Sequence, residues 1–233
     1  MKKKALVVGS GFGGIASALR LKALGYEVTL IEKLDQIGGR ARVFKKSGFT
    51  FDAGPTVITA PFLFDELFSL FDKKREDYVK FVKLDPWYRF FFYENNKVFD
   101  YSDNLKKTES EISKFNPNDV VGYRKLLKFS ERIFNVGFVK LSSKPFHNFW
   151  YMLKQLPSLF ILKSYLSVFK FVGRFINNHQ IRQALSIQPL LLGGNPISTT
   201  SIYNLIHYLE RKWGVHYALG GTGNLINALK KLM

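Results

Sequence analysis

Residues Ala5 to Val8 form a short apolar run that leads directly into Gly9-Ser10-Gly11-Phe12-Gly13-Gly14. A run of this kind fits a buried parallel strand. Ile15, Ala18, Leu19 and Leu21 then recur at helical spacing as far as Gly25, a helix stop, and Val28 to Glu32 reads as a second strand. Strand, glycine-rich turn, helix and strand make a βαβ unit, which places the chain in the α/β class with a Rossmann-like start.

Gly9, Gly11 and Gly14 give the pattern GxGxxG, and Glu32 follows Gly14 by eighteen residues. Gly9 allows the tight turn, Gly11 lets a diphosphate approach the backbone, and Gly14 lets helix and strand pack closely. The helix start offers free N–H groups and a positive dipole end to phosphates. Glu32, at the end of the second strand, suits a ribose diol and argues against a 2′-phosphate. Read alone, GxGxxG is also compatible with a simple glycine-rich turn; with its flanking elements it points to NAD or FAD.

Two further motifs follow. Gly38-Gly39-Arg40 places two small residues and a guanidinium where a second phosphate contact could form, although a turn with a surface Arg reads the same way. Asp52-Ala53-Gly54-Pro55-Thr56 is a turn after the strand Phe49 to Phe51, which pairs with Val43 to Lys46 across Ser47-Gly48 as a hairpin. Beyond Pro61, Phe62 to Phe71 has helical periodicity. Trp87 to Tyr93 and Val98 to Tyr101 read as another hairpin, and Asn116-Pro117-Asn118-Asp119 is a helix-start signal. Val120 to about Leu192 reads as helical, with interruptions near Pro145, Pro157 and Asn177-Asn178. With no linker or repeat, a second domain is expected as an insertion: 1–60 for the first part of the nucleotide-binding domain, 61–215 for the insert, 216–233 for the return.

The 233 residues are 46% hydrophobic and 16% aromatic, enough apolar surface to exclude disorder. There is no Cys, which excludes a disulfide framework and a Cys-based zinc site, and His147, His179, His207 and His216 lack metal-ligand spacing, so no metal is expected. The net charge is +17. From Arg132 to Leu209 there is no acid, while eight bases stand among dense Phe, Leu, Tyr and Trp. Such a charge suits nucleic acid or an anionic membrane, and the absence of a nucleic-acid recognition motif favours lipid. Neither a signal peptide nor a spanning helix is visible.

The stretches VVGSGFGG, IGGRA, GFTFDAGPTVIT, KVFDY, FNPNDVVGYRKLL, LLLGGNP, SIYNLIHYLERKWGV and GGTGNL, spread from Ala5 to Leu225, resemble the bacterial phytoene desaturases, the carotenoid desaturase branch of the amine-oxidase-like FAD oxidoreductases. The resemblance implies FAD as cofactor and, as substrate, a long polyene such as phytoene, converted by successive desaturations toward lycopene. It implies an N-terminal portion of such an enzyme, with an incomplete Rossmann-like domain and a mostly helical substrate- and membrane-binding insert. Carried onto this sequence, the cofactor contacts fall on Gly9, Gly11, Phe12, Gly13, Gly14, Glu32, Lys33, Gly39, Arg40, Ala41, Gly54, Pro55 and Thr56, with the Gly-Pro-Thr loop near the flavin ring. A related desaturase, isomerase or retinol-saturase-like flavoprotein, or an inactive fragment retaining dinucleotide or membrane binding, are the alternatives.

A C40 hydrocarbon must be collected from a bilayer, so a peripheral site on the inner face of the cytoplasmic membrane is expected, with a homo-oligomer also allowed. Ser158 to Ile176 reads as an amphipathic helix for that contact: Lys163, Ser167, Lys170 and Arg174 on one face, and Leu159, Leu162, Leu166, Phe169 and Ile176 away from it. The charge-free stretch Gln183 to Leu209 suits either a polyene channel or ordinary core. One departure stands out. Where the family carries an Arg-Asp pair with a further Arg, this chain has Trp150, Tyr151 and Lys154, so the catalytic acid or base and the electron acceptor stay unassigned.

Overall fold

The computed structural model describes residues 2–141 and 149–233, which gather into two compact units: Met1–Leu84 with Val215–Met233, and Asp85–Gly214. In the first, β1 (Lys4–Val8) and β2 (Glu27–Ile31) pair in parallel, from Lys4 opposite Glu27 to Val8 opposite Ile31. Between them runs α1 (Phe12–Ala23), which buries Ile15, Ala18 and Leu19 and stops before Gly25, whose φ of 86° is left-handed. The pleat turns alternate residues to opposite faces. Leu6, Val8 and Ile31 therefore stand exposed on the face away from α1.

β3 (Val43–Lys46) and β4 (Phe49–Asp52) form the expected hairpin. Ser47 and Gly48 both have positive φ, the requirement of the two-residue turn that matches strand twist. α2 (Phe62–Ser69) follows, and β5 (Phe81–Lys83) pairs with the returning β8 (His216–Ala218). α9 (Gly221–Leu232) places Leu225, Ile226, Leu229 and Leu232 in the same core as Ile15, Leu19 and Phe68. Each such buried side chain contributes roughly 1.5–3 kcal/mol, so α9 is a principal fastening of this unit.

The second unit opens with the hairpin β6 (Tyr88–Phe92) and β7 (Lys97–Tyr101). α3 (Leu105–Ser113) starts at Asn104, whose side chain accepts from the Lys107 N–H. α4 (Asp119–Phe134) presents Tyr123, Leu126, Ser130 and Ile133 to the interior, the spacing of one helical face. Gly122 brings it into contact with backbone, since a Cβ there would lie 1.8 Å from the Phe175 carbonyl oxygen. Asp119, fully buried, accepts from the Asn177 and Asn178 N–H groups at 2.8 Å each, so the helix-start motif also ties down a distant loop. α5 (Phe149–Ile161), α6 (Val168–Val172), α7 (His179–Ala184) and α8 (Leu205–Trp213) complete the unit.

Three features differ from the sequence reading. Residues 61–84 gather with the nucleotide-binding elements rather than with the insert. Pro157 lies inside α5 instead of ending it. The helix expected over Ser158 to Ile176 is broken. Lys163 takes a left-handed φ of 57° while the Ser164 N–H donates back to the Leu159 carbonyl, which closes α5. Ser167 is extended, bridges to Thr200, and caps α6 through the Lys170 N–H. Lys163, Ser167, Lys170 and Arg174 therefore share no helical face, and Leu162, Val168, Phe171, Val172 and Ile176 are core. Asn178 caps α7, in agreement with a boundary at Asn177-Asn178. The break expected at Pro145 lies outside the described residues.

Candidate functional site

The glycine-rich loop joins β1 to α1. Gly9 has a φ of 93° and donates its N–H to the Ile31 carbonyl at 2.7 Å, fixing the loop to the end of β2. A Cβ on Gly14 would meet the Gly9 carbonyl oxygen at 1.8 Å, whereas one on Gly11 would meet nothing within 4 Å. Gly14 thus serves packing, and Gly11 faces open space. No side chain caps the start of α1 at Gly11, so the first-turn N–H groups of Phe12, Gly13 and Gly14 keep the anion-binding character of a helix start. The Phe12 ring itself turns into the core, edge-on to Phe64 at 5.5 Å, and leaves only its backbone to the loop.

Glu32 reaches the same loop. Its Oε2 accepts from the Ser10 N–H at 2.8 Å and the Ser10 hydroxyl at 2.5 Å, and its Oε1 accepts from the Leu34 N–H at 3.0 Å. These bonds, the Ser10 hydroxyl first, hold the carboxyl down at about 2, so it is ionised throughout the neutral range. Ser10 is the residue that sequence reasoning missed. A hydroxyl between the first two motif glycines, with an acid at the end of the next strand, is the signal that could have found it.

The two later motifs come to this loop through their backbones. Gly38 donates its N–H to the Ser10 carbonyl at 2.8 Å, and a Cβ on Gly39 would lie 3.0 Å from the Gly11 Cα. Gly54 packs on the Arg40 carbonyl oxygen, where a Cβ would come within 2.0 Å. The missing side chain at Gly54 thus lets two loops touch. Ala41 is 1% exposed and contributes backbone alone, while Lys33, Arg40, Pro55 and Thr56 present exposed side chains.

A second omission is the tie to α9. Asp52 accepts from the Thr222 N–H at 3.1 Å, and the Thr222 hydroxyl donates to the Pro55 carbonyl at 3.3 Å. The acid of the Asp52 to Thr56 motif is thus a helix cap supplied from 170 residues away in sequence. Beside these loops opens an apolar cleft of about 420 Å³, lined among others by Phe12, Gly13, Pro55, Ile58, Leu63 and Leu67. Arg20 stands at its rim, paired with Glu66 at 2.9 Å. Turn glycines, a helix start, a carboxylate and an exposed guanidinium make a donor and acceptor set that fits a dinucleotide.

The flavin containing amine oxidoreductase model matches residues 12–232. The chain belongs to that family. The flavin in that family's description agrees with FAD, the cofactor that the resemblance implies. Over 230 residues the chain is 48% identical to a phytoene desaturase (lycopene-forming) of Pseudescherichia vulneris and 47% identical to one of Pantoea ananas, covering 99% of itself and 46% of each. It therefore spans under half the length of these curated relatives. An oxidoreductase from Methanosarcina mazei superposes with a TM-score of 0.63 at 20% identity, over 98% of this chain and 48% of that one. A putrescine oxidase does so with 0.60 at 14% identity, over 99% and 49%. Both show the fold alone.

Trp150, Tyr151 and Lys154 all lie on α5, and Trp150 is 70% exposed. Also exposed along α5 are Leu153, Leu156, Pro157, Phe160 and Ile161, which with Trp150 fall within one helical arc of less than half a turn. Tyr165 is exposed just beyond. Among the described residues no helix is long and apolar enough to cross a membrane.

Proposed function

We propose that this chain forms the cofactor-binding front half of a carotenoid desaturase that uses FAD to convert phytoene toward lycopene. The observation that carries the reading is the convergence of Gly9 to Gly14, Glu32, Gly38 to Arg40 and Gly54 on one loop cluster, in a chain 48% identical to a lycopene-forming phytoene desaturase. Gly9, Gly11, Phe12, Gly13 and Gly14 receive the diphosphate through N–H groups and close approach. Glu32 and the neighbouring Lys33 meet the ribose side. Gly39, Arg40 and Ala41 supply the second phosphate contact, and Gly54, Pro55 and Thr56 border the flavin ring.

When bound, FAD supplies the acceptor for hydrogen removed from adjacent saturated carbons. The chain's own part is to bind, orient and exclude water. With no carboxylate between Glu131 and Glu210, no acid or base is assigned to a step. We further infer that α5 rests on an anionic membrane and collects the apolar substrate there, placing the protein peripherally on the inner membrane face. Its exposed apolar stripe, with Lys154 and Lys163 beside it, supports this placement in place of a helix over Ser158 to Ile176.

The test is expression in phytoene-producing cells of the chain joined to the C-terminal half of a matched relative. Lycopene is the expected product. Unchanged phytoene beside soluble, flavin-loaded protein overturns the reading.

A further inference from the structure

A second cleft of the first unit, of about 480 Å³, opens between the turn after β2, the start of β3 and α9. That volume suits a small polar molecule. The cleft shares Ala41 with the residues assigned to the cofactor, but none of Gly9 to Gly14, Glu32 or Arg40 lines it. Its charged lining is Arg42, Lys45 and Lys230 with one acid, Asp35.

The sequence assembles it from opposite ends of the chain. On α9, Gly223, Ile226, Asn227 and Lys230 recur at i, i+3, i+4 and i+7 and so share one helical face. Gly223 lets that face close on β3, since a Cβ there would lie 2.5 Å from Val43 Cγ2. Side chains alternate along a strand, which puts Lys45 on the same side of β3 as Val43, toward α9. Arg42 precedes the strand in extended backbone. Its guanidinium lies 4.7 Å from the Phe44 ring, a contact that orders the group without neutralising its charge.

Three cations therefore line one concave surface, and among the described residues none of them has a carboxylate partner. The side-chain amides of Gln36 and Asn227 stand beside them without a hydrogen bond to the protein. Like charges gathered in a cleft raise the local positive potential and draw anions. The Arg42 fork matches two phosphate oxygens, the lysines add point charges, and the amides add N–H donors. Asp35 disfavours a bare, multiply charged anion and can accept from a hydroxyl, which suits an ester of a hydroxylated alcohol. We propose that this cleft is a second anion site and takes a phosphate ester of the glycerol phosphate kind, free or at the head of a lipid. The site is independent of the cofactor and of the desaturase reading.

The test titrates the full chain with glycerol 3-phosphate while the side-chain amide signals of Gln36 and Asn227 are followed by NMR. In parallel, the chain is floated with vesicles of phosphatidylglycerol and of phosphatidylcholine. The variant Arg42→Gln/Lys45→Gln/Lys230→Gln is compared with Lys73→Gln/Lys74→Gln/Lys80→Gln, which removes the same charge from exposed positions of the same unit. Helix α5 is unchanged in both, so any lipid contact it makes is common to them. Saturable amide shifts that weaken at least about tenfold in the cleft variant alone support the site with a soluble ester. If the free ester gives no shift, retention on phosphatidylglycerol that weakens at least about tenfold in the cleft variant alone supports a lipid-borne one. Binding in neither assay, shifts that never saturate, or an equal loss in the control variant overturns the proposal. Should the triple variant fail to fold, Lys230→Gln alone decides, because Gln is as good a helix former as Lys at this exposed position. A loss of about fivefold is then expected, and unchanged binding overturns the site.

Discussion

If α5 seats the protein on lipid, replacing Trp150, Phe160 and Ile161 together by Ser should detach it. The three side chains are 70, 70 and 72% exposed. Full transfer of such a side chain out of water is worth about 2 kcal/mol, so the exposed part of each supplies roughly 1.4 kcal/mol and the three together about 4 kcal/mol. That corresponds to roughly a thousandfold in partitioning. Because the three are exposed, their loss should change folding stability little, within about 0.5 kcal/mol each. Flotation with anionic vesicles measures the binding, and thermal unfolding confirms the fold. Neutralising Lys154 and Lys163 should cost only about 1 kcal/mol each and only at low salt. A triple variant that floats as well as the unmodified chain would refute the placement, as would binding abolished by salt alone.

The cofactor loops make further predictions. Gly11→Ala should leave the thermal midpoint of flavin-free protein unchanged, because its Cβ meets nothing, yet lose flavin absorbance on purification. Retention of the yellow cofactor would show that the diphosphate lies elsewhere. Gly54→Ala should lose both, since its Cβ would strike the Arg40 carbonyl at 2.0 Å; overpacking of this kind costs about 1–3 kcal/mol, read as a lower unfolding midpoint. Asp52→Ala removes the cap of α9 and should cost about 1 kcal/mol, a fall of about 2–4 °C, with flavin retention weakened through the Pro55 loop. An unchanged midpoint would mean that Asp52 does not hold α9.

Much of the first unit was legible because its signals are local. Gly9 reflects turn geometry and Gly14 a 1.8 Å approach that no other residue tolerates, and Ser47-Gly48 reflects the handedness of a two-residue hairpin. The failures share one cause. Ser158 to Ile176 has a helical pattern in sequence, but Lys163, Ser167 and the pairing of Val168 with the Thr199 carbonyl draw the chain into two short helices. Pro157 reads as a breaker, yet α5 continues through it with one backbone donor fewer. Likewise, Asp52 reads as a turn residue and is a cap for a helix beginning at Gly221.

By itself the sequence determined the βαβ start, its spacing to Glu32 and the resemblance that names FAD. These depend on residue type at short separation, where backbone geometry leaves few choices. Only the tertiary structure decided that Gly54 serves Arg40, that the exposed apolar stripe lies on α5, and that Glu210 is fully buried. Those facts arise from contacts between distant segments, and burial sets their chemistry: a carboxyl near 4.5 in water rises to about 7 once surrounding elements have excluded the solvent.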